Sequence, residues 1–90
     1  MYKLRTTNKF DKSLKKCFKR GLPKQEFNFV LTLLLKKEKL PKRFKAHMLK
    51  GNYKGCWECH IKPDWLLIWE EKKDELVLLL IDTGSHSELF

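Results

Sequence analysis

The sequence predicts an α+β domain: a short strand and two helices, followed by an antiparallel sheet of three or four strands that packs on them. Two observations carry this. Up to Gly51 the apolar residues recur at helical spacing, and past Gly55 the period changes to two. The third is size, because 90 residues fit one small core and leave little for a second domain.

At the front, "YKLRT" (2–6) alternates weakly and is predicted to form an edge strand. Asn8 is predicted to cap a helix through "KFDKSLKKCFKR", where Phe10, Leu14, Cys17 and Phe18 line one stripe and Gly21 stops the turn. Pro23 precedes a second helix over "KQEFNFVLTLLLKKE", with Phe27, Val30, Leu31 and Leu34 on its buried side. Pro41 marks the exit, and the stretch to Gly55 reads as a loop leading into a hairpin. Then Trp57, Cys59 and Ile61 alternate with Cys56, Glu58 and His60, placing the first set on a core face and the second on an open one. Pro63 breaks the run, "WLLIW" (65–69) is the next strand and "EKKDE" turns. The last strand, "ELVLLLID" (75–82), is apolar on both faces and therefore interior to the sheet.

The formal charge of +9 is unevenly spread. Residues 1–55 hold 17 basic and 3 acidic residues, a local +14, and residues 56–90 hold 3 and 8, a local −5. So basic a front half attracts polyanions, with RNA, DNA, acidic protein and anionic membrane as candidates. The apolar runs "FVLTLLL" and "LVLLLI" are far shorter than a membrane span, and the N-terminus has no apolar signal core, so a cytoplasmic protein with no membrane partner is expected. Three cysteines are an odd number and too few for a disulfide scaffold.

Cys56, Cys59 and His60 spell C-x-x-C-H, a haem-attachment or half-zinc spacing. On a strand, residues three apart point to opposite faces, so the two thiols do not converge on one haem or one ion. Neither a metal nor another cofactor is expected. The histidines remain. His47, His60 and His86 each lie beside turn residues, and with Glu58 and Asp64 on a basic domain they make the acid and base set that RNA cleavage requires. One group removes the ribose 2′-OH proton, the oxygen attacks the adjacent phosphorus, and another group protonates the leaving 5′-oxygen. Imidazole suits both steps because it titrates near neutral pH. Trp65 and Phe90 are candidates to stack on bases, and for Trp65 core packing is the alternative.

"LPKRFKAHMLKGNYKGCWECHIKPDWLLIW" followed by "TGSHSELF" resembles the YafQ-like branch of the RelE/ParE toxin superfamily, the mRNA interferases of bacterial type II toxin–antitoxin systems. The resemblance runs from the front strand to Phe90 and rests on H-x-L-x-G, C-H-I-x-P-D-W and G-[ST]-H-S-x-L-F. It implies a small twisted antiparallel sheet of about four strands on two N-terminal helices, and ribosome-dependent cleavage of mRNA. It implies an acidic antitoxin as partner, with operator DNA bound by the complex through that antitoxin. The catalytic positions fall on His47, His60, His86, Glu58 and Asp64, with His86 as general acid, His47 or Asp64 as general base and His60 orienting or stabilising. The base-stacking positions fall on Trp65 and Phe90. Two family arginines are absent, replaced by Trp57 and Asp82, and Lys50, Lys54 and Lys62 are the candidates to contact RNA in their stead. A member that binds RNA or the ribosome but cleaves poorly is the alternative reading.

Overall fold

The computed structural model describes all 90 residues. The chain runs β1 (Lys3–Thr6), α1 (Asn8–Lys19), α2 (Lys24–Leu35), β2 (His47–Met48), β3 (Trp57–Lys62), β4 (Trp65–Lys72), β5 (Val77–Gly84) and α3 (His86–Leu89), with short 3-10 turns at Lys42–Phe44 and Gly51–Tyr53. The five strands form one sheet in the order β1-β5-β4-β3-β2.

The α+β class and the packing of the helices on the sheet are as the sequence predicts. The sheet is mixed rather than wholly antiparallel, because β1 pairs parallel to β5. Parallel neighbours need a long crossover, and everything from α1 to β4 supplies it. The additional strand is β2, two residues within the stretch expected to be loop, held by pairing His47 with Glu58 and Met48 with Trp57.

Helix boundaries shift for local reasons. Thr7, not Asn8, caps α1: its hydroxyl accepts from Phe10 N at 2.9 Å and donates to Ile81 O at 2.8 Å, tying the helix start to β5. At the other end Gly21 adopts φ +88°, and Leu22 N donates to Cys17 O while Gly21 N donates to Phe18 O, a Schellman ending. The second helix stops at Leu35, short of Glu38, through the same pair of bonds, Glu38 N to Leu33 O and Lys37 N to Leu34 O. There Lys37 occupies the left-handed position (φ 61°) that glycine usually fills.

Between helices and sheet lies the main core, built from Phe10, Cys17, Phe27, Val30 and Leu34 against Cys59, Ile61, Trp65, Leu67, Trp69, Leu78 and Leu80. The opposite face, expected to be open, is partly covered by a second cluster of Cys56, Leu66, Ile68 and Leu89. Cys56 and Cys59 therefore do sit on opposite faces, both as free buried thiols.

Candidate functional site

The second face of the sheet carries the candidate site residues. Pairing sets His47 on β2 beside Glu58 on β3, and the alternation of β3 puts His60 on the same face as Glu58. The tight turn at Pro63–Asp64 joins β3 to β4, and the end of β5 delivers His86 as the first residue of α3. The three imidazoles stand in a row, ring centroids 6.4 Å apart from His47 to His60 and 5.5 Å apart from His60 to His86.

A carboxylate holds each end. Glu58 is 4% exposed, and its Oε1 lies 3.3 Å from His47 Nε2 and 3.8 Å from His60 Nε2, while Oε2 is buried without a protein partner. His47 Nδ1 faces Lys45 O at 2.8 Å and His60 Nδ1 faces Pro63 O at 3.3 Å. A carbonyl only accepts, so both Nδ1 atoms carry hydrogen and both Nε2 atoms turn to Glu58. For His47 the consequence is a shared proton: an imidazolium donating to the carboxylate, or a lone pair ready to take up a proton beside it.

At the other end Asp64 Oδ1 accepts from His86 N at 2.9 Å and from His86 Nδ1 at 2.8 Å. These two bonds, the backbone one first, hold the Asp64 carboxyl below its ordinary value. They fix the ring with Nδ1 protonated and leave Nε2 free to give or accept a proton.

The short α3 is built to hold that ring still. Ser85 and Glu88 form a reciprocal capping box, Ser85 N donating to Glu88 Oε1 at 2.9 Å and Glu88 N to Ser85 Oγ at 3.3 Å. Arg20, at the end of α1, donates from Nη1 to both Glu88 oxygens at 3.1 and 3.0 Å. Gly84 completes the arrangement. Its φ is +155°, and a Cβ there would meet Glu88 Oε1 at 3.0 Å.

Of the residues singled out from the sequence, the row gathers His47, Glu58, His60, Asp64 and His86. Trp65 does not join it. It is 1% exposed in the main core, stacked on Phe27 at 6.4 Å, with Nε1 donating to Thr83 Oγ1 at 2.9 Å. No ring face is left for a base, and its role as a stacking platform is withdrawn. Phe90 is 63% exposed and packs edge-on against Tyr53 at 5.8 Å. Lys50 and Lys54 flank the turn bearing Tyr53, and Lys62 pairs with Glu26 at 3.5 Å.

At the two lost arginine positions neither side chain bonds to the row. Trp57 stacks on Trp69 against the main core, on the face opposite Glu58. Asp82 is 2% exposed, accepts from Thr83 N at 2.8 Å and pairs with Lys9 Nζ at 3.4 Å. It stands opposite Ile68, which in turn stands opposite Glu58, so a whole strand separates the two carboxylates, about 10 Å across.

Sequence reading did not single out Arg20 and Glu88, whose partnership spans 68 positions. Nor did it single out Arg43 and Lys45, which line a cleft of about 520 Å³ beside His60 with Phe44, Ile61 and Lys62. The one sequence signal for the clasp is the S-x-x-E spacing of Ser85 and Glu88.

Fold and site together define a small α+β protein with a row of histidines and carboxylates across one face of its sheet. The family model for the bacterial toxin of type II toxin–antitoxin systems, YafQ, matches residues 2–90, and the chain belongs to that family. The mRNA interferase toxin YafQ of Escherichia coli K12 is 33% identical over 85 residues, covering 93% of this chain and 90% of the relative. A metal-bound toxin from Helicobacter pylori superposes with TM-score 0.95 at 43% identity over the full length of both chains. YafQ in the E. coli DinJ–YafQ complex superposes with TM-score 0.89 at 31% identity, over 100% of this chain and 99% of that one.

Proposed function

We propose that this chain is the toxin of a type II toxin–antitoxin pair and an endoribonuclease that cleaves mRNA on the ribosome, in the cytoplasm. The observation that carries the reading is the row of three histidines held by a carboxylate at each end. The His47–Glu58 pair takes up the proton of the 2′-OH as that oxygen attacks the adjacent phosphorus in line. His86, as imidazolium braced by Asp64, gives the Nε2 proton to the departing 5′-oxygen, leaving a 2′,3′-cyclic phosphate and a 5′-hydroxyl. His60 stands between them, its ring held by Pro63 O, and orients Glu58 toward the His47 proton. Asp64, the alternative general base, already accepts two bonds from His86 at Oδ1 and serves as its brace. Phe90 is the remaining candidate for stacking on a base, and Lys50, Lys54 and Lys62 are candidates for contacting RNA.

YafQ of E. coli is solved in complex with the antitoxin DinJ, which supports an antitoxin partner here. A chain at +9 is complemented by an acidic segment laid across its basic surface, and such a complex engages operator DNA through the antitoxin. The H. pylori relative was crystallised with metal, and the steps above run through side chains. The poorly cleaving alternative drew on the two lost arginines; Trp57 packs on the main core, and Asp82 is buried and paired with Lys9. Primer extension on a reporter mRNA in a translating extract tests the reading: cleavage by the wild type and none by His86→Ala supports it, and translational arrest without cleavage contradicts it.

A further inference from the structure

The chain has three arginines. Arg5 lies on β1, at the opposite edge of the sheet from His47. Arg20 is committed to Glu88. Arg43 forms no ion pair and no side-chain hydrogen bond; the cations that pair are Lys9, Arg20, Lys62 and Lys72, together with the three histidines.

Arg43 is nevertheless held in place. Its guanidinium lies 4.6 Å from the centre of the Phe44 ring and 5.6 Å from that of Phe29, on aromatic faces that attract a cation and keep it flat. Phe44 is 2% exposed and anchors the segment. A 3-10 turn then sends Lys45 into a left-handed conformation (φ 50°), from which its carbonyl accepts the His47 Nδ1 proton at 2.8 Å. One short segment thus presents two cations and orients the first histidine of the row.

The same two cations line the cleft beside His60 together with Lys62, and Glu26, already paired with Lys62, is its one acid. A fixed, unspent fork of N–H donors fits the two non-bridging oxygens of a phosphate better than a mobile ammonium does.

We infer that the cleft formed by Arg43, Lys45 and Lys62 beside His60 is a phosphate subsite, which takes the RNA phosphate next to the one cleaved. The inference rests on the nuclease reading for its substrate.

The test uses the full chain and a short single-stranded 2′-O-methyl RNA, which has no nucleophilic hydroxyl and is not consumed. Fluorescence anisotropy over a range of salt gives the Kd and its salt slope, and amide shifts locate the RNA. Arg43→Gln, which keeps the stem on Phe44, is expected to weaken binding about tenfold at ~0.1 M salt and to flatten the log–log slope by about 0.7. Arg43→Lys should recover the slope but only part of the affinity. Lys39→Ala, which removes a charge elsewhere, should change neither the shift pattern nor the slope by as much. Shifts should centre on His60, Ile61 and Lys62.

The subsite is overturned if Arg43→Gln, folded as judged by its thermal transition, binds with unchanged affinity and slope, if the shifts gather around Lys50 and Lys54 instead, or if the wild type does not bind. A subsite found as expected in a protein that cleaves no mRNA would overturn the nuclease reading alone.

Discussion

Glu58 is buried on the sheet and faces two imidazoles, so what it does is set by which atoms can hold protons. The neighbouring carbonyls fix hydrogen on Nδ1 of His47 and His60, and the carboxylate receives whatever reaches Nε2. Asp64 performs the corresponding task for His86 from an exposed turn. Its carboxyl is held below the ordinary range by bonds from His86, so the brace is complete above that range and is lost only as pH falls through the depressed value. Asp64→Asn keeps the shape but removes the charge that faces His86. Single-turnover cleavage should fall about 100-fold, with little change in RNA affinity. Cys59 shows the opposite effect of burial. Loss of solvent, with Glu58 nearby, pushes its thiol up to about 12. The thiol is therefore expected to resist alkylation at pH 8 until the protein unfolds, and its share of stability is present below the ordinary thiol range and lost as pH rises toward that value. Rapid modification of Cys59 in native protein, read by mass spectrometry, would contradict its burial. Asp82 would be tested by Asp82→Arg. A cation in that enclosed position facing Lys9 should lower unfolding stability in urea by about 3 kcal/mol and give no faster cleavage. A faster enzyme would mean that the side chain reaches the row.

At the scale of elements, α3 has four residues, too few to persist by helical propensity alone. It is held by the Ser85–Glu88 capping box, the Arg20 bridge and Leu89 in the second cluster. Glu88→Ala removes the first two together. Exposed ion pairs add little stability, so unfolding should shift by only about 1 kcal/mol, while the cleavage rate falls further as His86 loses its fixed place. Equal losses in both would show that the clasp serves the fold alone. The elements legible in the sequence were those with a strong period: α1 and α2 from their apolar stripes, and β3, β4 and β5 from alternation or continuous burial. The β2 strand was not legible, since two residues carry no period and its formation depends on β3. Nor was the parallel pairing of β1, because its four residues are exposed and do not state the direction of their neighbour. The face of β3 bearing Glu58 and His60 could be read directly, whereas its cover by Leu89 depends on where the chain end returns.

For the molecule as a whole, the charge asymmetry and the sheet topology do separate work. The sheet gathers residues from positions 47 to 86 into one row, and the basic front half, mostly helices and the loop after them, lies in the same small body, where in the proposed function it would draw RNA toward the row. What could be read of the site was therefore its list of titratable groups. What could not was its support: the Trp65 ring turns inward to Phe27, and the Arg20 clasp and the Arg43 cleft join residues distant in sequence. No helix is long and apolar enough to cross a membrane. The claim at the centre of this account is that the histidine row transfers protons during attack by a 2′-oxygen. Its most direct test is the chemistry of the product ends, read by mass spectrometry of mRNA fragments from a translating extract. The wild type should give 2′,3′-cyclic phosphate and 5′-hydroxyl ends, lost with His86→Ala; 3′-hydroxyl and 5′-phosphate ends, or undiminished cleavage by His86→Ala, would contradict proton transfer by the row.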